Sequence, residues 1–317
     1  MLLGQTKTFF FLHPLVLTIL AFILIFLFKW SSTTLPTTKK NSPPSPPKLP
    51  IVGNFHQLDS QPHRSLGSLA QRHGPLMLLH FGSVPTLVAS SADAASEIMK
   101  THDLIFADRC KSNMFEKLLY NYKDVASAPY GEYWRQMKSI SVLHLLSNKR
   151  VQSFRAVREE ETFLVIEKIK QSCFSGFVNL SEVLANLTND VLCRVALGRK
   201  YGVGKGGRKF KELLVEFTEL LGTISVGNYI PWLAWVSRVN GLDARAEKVA
   251  KQFDDFIEGV IEDHVNCQRR EGHVILENEQ KDFVDVLLQI QKENVIGFPI
   301  DRVSIKALIL VSKYFSS

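Results

Sequence analysis

Residues 128–138 read Ala-Pro-Tyr-Gly-Glu-Tyr-Trp-Arg-Gln-Met-Lys and place an aromatic residue and two cations together on a predicted helix. Trp134 and Lys138 are four residues apart, so they share one helical face, with Arg135 alongside. An indole N–H and two cations presented together can bind a dianionic group. The alternative is a solvated basic face with a half-buried tryptophan, and the helix alone leaves both interpretations open.

Upstream of this segment the sequence predicts a small β-hairpin between helices. Residues 63–73 have helical spacing of their apolar positions, and residues 92–102 return to helical character. The short apolar runs 76–81 and 85–89 flank a Gly-Ser pair, a pattern typical of a hairpin. Residues 103–130 lack clean periodicity, so we expect a long, partly ordered loop, and such loops are often functional.

Downstream the chain is predicted to be helical. The expected helices cover residues 132–146, 151–172, 210–221, 244–270, 282–292 and 301–310, with an apolar connection at 229–242. One further helix carries an apolar stripe made by Leu180, Val183, Leu184, Leu187, Val191 and Val195. The long helix 244–270 buries a stripe made by Val249, Phe253, Phe256, Ile257, Val260 and Ile261. The pattern predicts a mainly α-helical fold with a small β-sheet.

The N-terminal region, residues 1–30, is predicted to be a membrane anchor. Residues 9–28 are uncharged and, as a helix, would span about 30 Å, the thickness of a bilayer's hydrocarbon core. Lysines follow this run, which predicts a cytosolic location for the rest of the chain. The alternative is a cleaved signal peptide, but its apolar run would be shorter. A luminal chain could carry glycan at Asn179 or Asn186, whereas a cytosolic one could not.

A proline-rich segment within residues 31–54 connects this anchor to the rest of the chain. Residues 42–50 read Ser-Pro-Pro-Ser-Pro-Pro-Lys-Leu-Pro, which fixes the backbone and removes N–H donors. We expect a stiff, extended spacer that determines how the following domain lies on a membrane. A PxxP ligand for an SH3-like domain is the alternative.

Composition excludes several classes of protein. The chain has 317 residues, of which 45% are hydrophobic and 22% charged, so it is not disordered. Its net charge of +7 suits an acidic protein or an anionic membrane, but no basic run interleaved with aromatics indicates nucleic acid binding. The four cysteines, Cys110, Cys173, Cys193 and Cys267, form no CxxC pair, so a zinc site built by the protein is not expected. Cys193 is interpreted as a core residue.

Four segments, taken together, resemble the plant microsomal cytochromes P450 of the A-type, 71-family-like group. Residues 43–58, PPSPPKLPIVGNFHQL, resemble that group's proline-rich hinge. Residues 106–109, Phe-Ala-Asp-Arg, resemble its F-[AS]-x-R segment, and residues 128–138 match its P-Y-G-x-x-W-R-x-x-[RK] motif. Residues 305–310, Ile-Lys-Ala-Leu-Ile-Leu, resemble the opening of its long central helix. The segments occur in the family's order.

The resemblance implies a haem-thiolate monooxygenase with a partial P450 domain at residues 55–310. Trp134, Arg135 and Lys138 would bind the paired propionates of the haem. Electrons from NADPH would arrive through an acidic NADPH-cytochrome P450 reductase, and oxygen would enter an apolar small molecule such as a plant secondary metabolite. The implied location is the endoplasmic reticulum membrane, with a segment around residues 220–230 in contact with lipid.

The resemblance also suggests which residues contact the substrate. They belong to the loop before the Trp134 helix and to the segment around residues 220–230. The candidates are Phe106, Met114, Phe115, Leu119, Ala126, Leu220 and Leu221. Ordinary core packing is the alternative for these side chains.

The axial ligand of the family is a cysteine in an F-x-x-G-x-R-x-C-x-G loop, which this sequence does not contain. No catalytic or metal-ligating residue is therefore assigned in the chain, and we expect it to be inactive alone. The alternative is a catalytically silent truncated membrane protein or an interaction module. Residues 311–317 no longer resemble the family, and because Val-Ser is encoded by a common intron donor sequence, we interpret them as possible intron read-through.

Overall fold

The structure is a computed structural model that describes residues 17, 18, 20–22, 25, 42–144, 146–173, 176–201, 204–270, 281–293 and 300–314. The chain divides into two compact units, Met1–Thr101 and His102–Ser317. The predicted anchor at residues 9–28 lies mostly outside the described residues. Within the described ranges, no helix combines the length and the apolar character needed to cross a membrane.

The first unit contains a two-stranded sheet between short helices. Its described elements from residue 55 onwards are a 3-10 turn (Phe55–Gln57), α1 (Pro62–His73), β1 (Leu76–Phe81), β2 (Val84–Ala89), α2 (Ala92–Ser96) and a π-helical turn (Glu97–Thr101). The strands are antiparallel, with Leu76 opposite Ala89 and Phe81 opposite Val84. Met77 and Leu79 are fully buried, as the two-residue period of a strand requires. The predicted hairpin is therefore confirmed.

Asn54 fixes the end of the proline-rich spacer against β1. Its side chain is completely buried and accepts a hydrogen bond from the His80 backbone N–H at 2.8 Å. Its amide nitrogen donates to the carbonyl oxygens of Pro46 at 3.4 Å and Pro47 at 3.2 Å. The prolines donate no N–H of their own, so other residues supply the donors that hold the spacer in place. Besides Asn54, the Gln57 side chain donates to the Pro47 carbonyl oxygen at 2.8 Å, and the Leu78 N–H donates to the Pro44 carbonyl oxygen at 2.9 Å.

The second unit is helical. Its helices are α3 (Asn113–Leu118), α4 (Glu132–His144), α5 (Asn148–Ser153), α6 (Arg155–Cys173), α7 (Leu180–Leu197), α8 (Gly204–Gly222), α9 (Val226–Tyr229), α10 (Val236–Val239), α11 (Leu242–Arg270), α12 (Phe283–Glu293) and α13 (Arg302–Tyr314). The main apolar core lies along α11, whose predicted stripe is buried except for the half-buried Phe256.

Helix α13 is surrounded by other parts of the unit. Every side chain from residue 305 to 310 is buried, including the cation of Lys306. The Lys306 ammonium lies 2.6 Å from Asp254 Oδ1 and 2.7 Å from Glu258 Oε2, so its charge is compensated. A helix that is buried all round is typical of the centre of a large domain.

The structure corrects several expected boundaries. The predicted loop 103–130 contains α3, because Met114 and Leu118 are four residues apart and both bury their side chains. The predicted helix 151–172 is two helices, which are separated by the buried Phe154. The apolar connection at 229–242 includes α10 and a 3-10 turn, Pro231–Leu233.

Helices α13 and α7 also differ from the prediction. Helix α13 does not stop at Leu310 but continues to Tyr314, since residues 311–314 contain no proline or glycine. On α7, the predicted stripe is only partly buried, and Leu180 and Leu184 are exposed.

A charged clamp joins three helices in the second unit. The imidazole of His264 on α11 places Nε2 2.7 Å from Asp282 Oδ2 and Nδ1 2.7 Å from the Val260 carbonyl oxygen. Both ring nitrogens face acceptors, so the protonated ring fits this geometry. Asp282 also caps α12 by accepting a hydrogen bond from the Asp285 N–H at 2.9 Å. Gly198, at the end of α7, has φ +71°, and a Cβ there would lie 2.5 Å from Asp282 Oδ2.

This clamp predicts a loss of stability at alkaline pH. Burial alone would lower the pKa of His264, but the hydrogen bond and charge of Asp282 raise it to about 9. The stabilisation is complete below the unfolded pKa of about 6.5 and disappears as the pH rises through about 9. Allowing for solvent screening, we expect the free energy of unfolding to fall by about 2 kcal/mol over this interval.

Urea unfolding between pH 6 and 10 measures this effect. His264→Gln should remove most of the pH dependence, and Asp282→Asn should do the same because it keeps the helix cap but removes the charge. A wild-type pH dependence that persists in His264→Gln would show that another group is responsible.

Candidate haem-binding and substrate segments

Helix α4 presents two cations on its outer face. Arg135 and Lys138 are both exposed, and no carboxylate among the described residues forms an ion pair with either of them. The Lys138 ammonium lies 4.6 Å from the centre of the Trp134 ring, and the Arg135 guanidinium lies 5.6 Å from the centre of the Tyr130 ring. These contacts leave both charges available to an anionic ligand.

The inner face of α4 fixes the helix to the core. Met137 and Ile140 are buried in the main apolar cluster. Before the helix, the Tyr130 N–H donates to Asp108 Oδ1 at 3.1 Å, which joins the 106–109 and 128–138 segments. The cations of α4 therefore project from an anchored element.

Trp134 has a different partner from the one the sequence predicts. Its indole N–H donates to the Val125 carbonyl oxygen at 2.9 Å. In this arrangement the indole supports the Lys138 ammonium through its ring face, and its N–H holds the segment before the helix. Direct donation from Trp134 to a ligand stays a prediction.

The donor set of α4 fits a dianionic group such as the propionates of haem. Two exposed cations with no counter-ion among the described residues lie three positions apart on one helix, and each lies over an aromatic ring. Arg135 and Lys138 are thus the residues that could bind such a group in this geometry. The arrangement differs from the sequence-based prediction in one respect: the Trp134 indole N–H donates to the Val125 carbonyl oxygen.

Sequence reasoning missed the turn that precedes α4. Asp124 is completely buried, and its carboxylate accepts hydrogen bonds from Ala126 N–H at 2.7 Å and Ser127 N–H at 2.9 Å. Burial raises the pKa of Asp124, and these hydrogen bonds oppose the rise. The hydroxyl of Tyr133 donates to the Lys123 carbonyl oxygen at 2.7 Å. The available signal was an Asp-x-x-Ser pattern between apolar and small residues.

Most of the predicted substrate residues belong to one apolar cluster. Met114, Leu119 and Leu220 are buried in the core, and Phe115 and Leu221 pack against it. Two other candidates lie apart from that cluster: Phe106 is 49% exposed and Ala126 is half-buried in the turn before α4. Five of the seven are therefore brought together, and their contact with a substrate stays a prediction.

The two predicted substrate segments are hydrogen-bonded to each other. The Asn113 N–H donates to Asn228 Oδ1 at 3.1 Å, and the Asn228 side chain donates to Ser112 Oγ at 3.2 Å. The Asn113 side chain also donates to Asp243 Oδ1 at 2.9 Å. A cleft of about 590 Å³ with both polar and apolar surface lies along this junction.

The end of the first of these segments has a strained backbone. Tyr120, Asn121 and Tyr122 have φ values of +50°, +54° and +62°, which non-glycine residues seldom adopt. Hydrogen bonds hold this conformation: Tyr120 donates to Asp254 Oδ1 at 3.1 Å, and Tyr122 donates to the Ser112 carbonyl oxygen at 2.8 Å. The strain is therefore maintained by specific tertiary contacts.

Of the cysteines, Cys193 is completely buried in α7, which confirms its interpretation as a core residue. Cys110 and Cys267 are exposed. The side chain of Cys173 lies outside the described part of the chain.

Comparison with known proteins identifies the family. The sequence model described as Cytochrome P450 matches residues 43–311, so the chain belongs to the cytochrome P450 family. The proteins of this family hold haem iron through a cysteine thiolate. The predicted resemblance to plant P450s of the 71-family-like group is confirmed by the individual relatives.

The chain is similar to three plant proteins in particular. It is 63% identical over 304 residues to cytochrome P450 736A117 of Prunus mume, covering 95% of this chain and 58% of that protein. It is 58% identical over 272 residues to cytochrome P450 71A26 of Arabidopsis thaliana, covering 86% of this chain and 53% of that protein. It is 52% identical over 306 residues to norfluorocurarine oxidase of Strychnos sp, covering 94% of this chain and 60% of that protein. The chain thus spans between half and three fifths of the length of these relatives.

Proposed function

We propose that this chain forms the propionate-binding and part of the substrate-binding region of a haem-thiolate monooxygenase that acts on an apolar plant metabolite. The observation that carries the proposal is the pair of exposed cations on α4 that have no counter-ion among the described residues, in a chain that belongs to the P450 family. The similarity to a protein named norfluorocurarine oxidase supports a metabolite as the substrate.

The residues of this chain would have distinct roles in that reaction. Arg135 and Lys138 bind and orient the two propionates, and Tyr133 and Trp134 fix the helix that carries these cations. Met114, Leu119 and Leu220 are buried, so their role would be to hold the two substrate segments on one apolar core. When bound, a haem held by a cysteine thiolate supplies the electron density that favours O–O cleavage.

The electron donor in this proposal is an NADPH-cytochrome P450 reductase. The net charge of +7 supports association with an acidic partner. This electrostatic attraction would weaken at high ionic strength.

A hybrid protein tests the proposed function. It consists of residues 1–310 of this chain followed by the remaining C-terminal part of Prunus mume cytochrome P450 736A117. We expect the hybrid protein to bind haem, to show a Soret band that shifts with carbon monoxide after reduction, and to oxygenate apolar metabolites with NADPH and a reductase. The 317-residue chain, assayed in parallel, should show no oxygenation.

Two results would contradict the proposal. A hybrid protein that folds but excludes haem would remove the haem-binding role from this chain. A hybrid protein that binds haem yet neither consumes NADPH with the reductase nor forms an oxygenated product would remove the monooxygenase role.

We further propose a single-pass location in the endoplasmic reticulum membrane, with the globular part in the cytosol. The uncharged run at residues 9–28 and the lysines that follow it support this orientation. The exposed Trp232 and Trp235 suit the boundary between lipid and water.

Protease treatment of sealed microsomes tests this topology. Trypsin added outside the vesicles should degrade the globular part, and Asn179 and Asn186 should carry no glycan. Protection of the globular part in intact vesicles, together with its loss after detergent, would place it in the lumen instead. A glycan at either asparagine would lead to the same conclusion.

A further inference from the structure

Asp124 is a buried carboxylate that has no cationic partner among the described residues. Its side chain is completely buried, and no lysine or arginine in the described part of the chain forms an ion pair with it. Oδ1 accepts the N–H groups of Ala126 and Ser127, and Oδ2 accepts the Ser127 hydroxyl. Burying a charge in this way costs free energy, so the carboxylate is a costly means of stabilising one turn.

The turn that Asp124 fixes presents two carbonyl groups to α4. The residues directly before and after Asp124 are Lys123 and Val125. The Lys123 carbonyl oxygen accepts the Tyr133 hydroxyl at 2.7 Å, and the Val125 carbonyl oxygen accepts the Trp134 indole N–H at 2.9 Å. One carboxylate therefore sets the positions of both acceptors that hold these two adjacent aromatic side chains.

Each of these aromatic side chains contacts a second residue beyond the turn. The Trp134 ring lies 4.6 Å from the Lys138 ammonium, so the indole determines where that cation rests. The Tyr133 hydroxyl also lies 3.0 Å from Ser304 Oγ, in the first turn of α13. A change in the turn would thus be transmitted to the cationic face of α4 and to the start of α13.

We propose that Asp124 is a positioning residue of the haem-binding region: it fixes the 124–127 turn, whose Val125 carbonyl holds the Trp134 indole against the Lys138 ammonium. This inference rests on the proposed function for the identity of the ligand. The contacts that lead from the Asp124 carboxylate to the Lys138 ammonium are observed in the structure itself. Asparagine keeps Oδ1 as the acceptor for two backbone N–H groups, whereas alanine removes every acceptor.

The first part of the test follows Trp134 directly, without haem. The 317-residue chain contains four tryptophans and can be labelled with 5-fluorotryptophan; Trp134→Phe identifies the Trp134 resonance in the ¹⁹F spectrum. Asp124→Ala should shift that resonance towards the position of exposed tryptophan, and Asp124→Asn should leave it near its original position. If Asp124→Ala does not fold, Ser127→Ala, which removes only the hydroxyl, should cause a smaller shift in the same direction.

The second part measures how fast the hybrid protein loses haem to an excess of a haem-scavenging apoprotein. Asp124→Ala should accelerate loss about fivefold or more, and Asp124→Asn less than about twofold. Combining Asp124→Ala with Trp134→Phe should cost no more than the worse single change, because both act through the same contact.

The outcomes separate this inference from the proposed function. An unchanged Trp134 resonance in both Asp124→Ala and Ser127→Ala would overturn the inference. Additive effects of Asp124→Ala and Trp134→Phe on haem loss would also overturn it, because they would indicate general destabilisation. The dependence of haem retention on Arg135 and Lys138 is measured separately and decides the proposed function.

Discussion

Replacing Gly53 with alanine should lower the free energy of unfolding by about 3 kcal/mol or more. Gly53 has φ +64°, and a Cβ at this position would lie 2.0 Å from the His80 carbonyl oxygen, which belongs to the backbone of β1. Neither the conformation nor the contact can be relieved by rotating a side chain. The adjacent Asn54 holds the spacer prolines, so the damage should extend to that attachment.

Urea unfolding of the hybrid protein, followed by circular dichroism, measures this change. Gly67→Ala is the matched control, since a Cβ there meets nothing within 4 Å in the middle of α1. It should raise stability by about 0.5–1 kcal/mol because alanine favours the helix. Equal stability of Gly53→Ala and wild type would mean that the spacer does not pack against β1 as described.

Replacing Glu161 with alanine should cost about 3 kcal/mol. This carboxylate is 3% exposed and lies between two cations, with Arg194 Nη1 at 2.6 Å and Lys200 Nζ at 2.5 Å. Burial alone would raise the pKa of Glu161, but the two cations hold it below its usual value. Removing the carboxylate leaves both cations without their central partner. Because the cations keep some contact with water, the loss of stability should be near the lower end of the range of about 3–5 kcal/mol that is typical when one partner of a buried ion pair is removed.

The neighbouring residue provides the control. Glu160 also pairs with Arg194, at 2.8 Å, but its side chain is 58% exposed. Glu160→Ala should therefore change the free energy of unfolding by less than about 0.5 kcal/mol. If the two alanine variants lower the free energy of unfolding equally, burial does not determine how much each carboxylate contributes to stability.

Sequence periodicity predicted the elements whose burial follows a simple spacing. The strands around the Gly-Ser turn and the buried stripe of α11 were expected, because alternation and helical periodicity determine which side chains face the core. Cys193 was expected in the core for the same reason. The short helix α3 was not, since six residues are too few for a periodic pattern.

Features that depend on tertiary contacts could not be predicted in this way. Nothing local indicates positive φ values at Tyr120 and Tyr122, because these residues are held by partners distant in the sequence or across the turn. The role of Asp124 depends on burial, which a charged residue in a predicted loop does not suggest. The cations of α4 were found because helical spacing and family resemblance agree at that segment.

The haem content of an Arg135→Ala/Lys138→Ala variant of the hybrid protein tests the central claim most directly. Charge-assisted hydrogen bonds contribute about 1.5–3 kcal/mol each, so losing both, about 3–6 kcal/mol in total, should weaken haem retention by at least about 100-fold. The control variant Lys149→Ala/Lys168→Ala removes two exposed cations elsewhere and should retain haem as well as the unmodified hybrid protein. Haem loss specific to the first variant is the result we predict. Equal haem content and equal haem-loss rates in all three proteins would contradict the account.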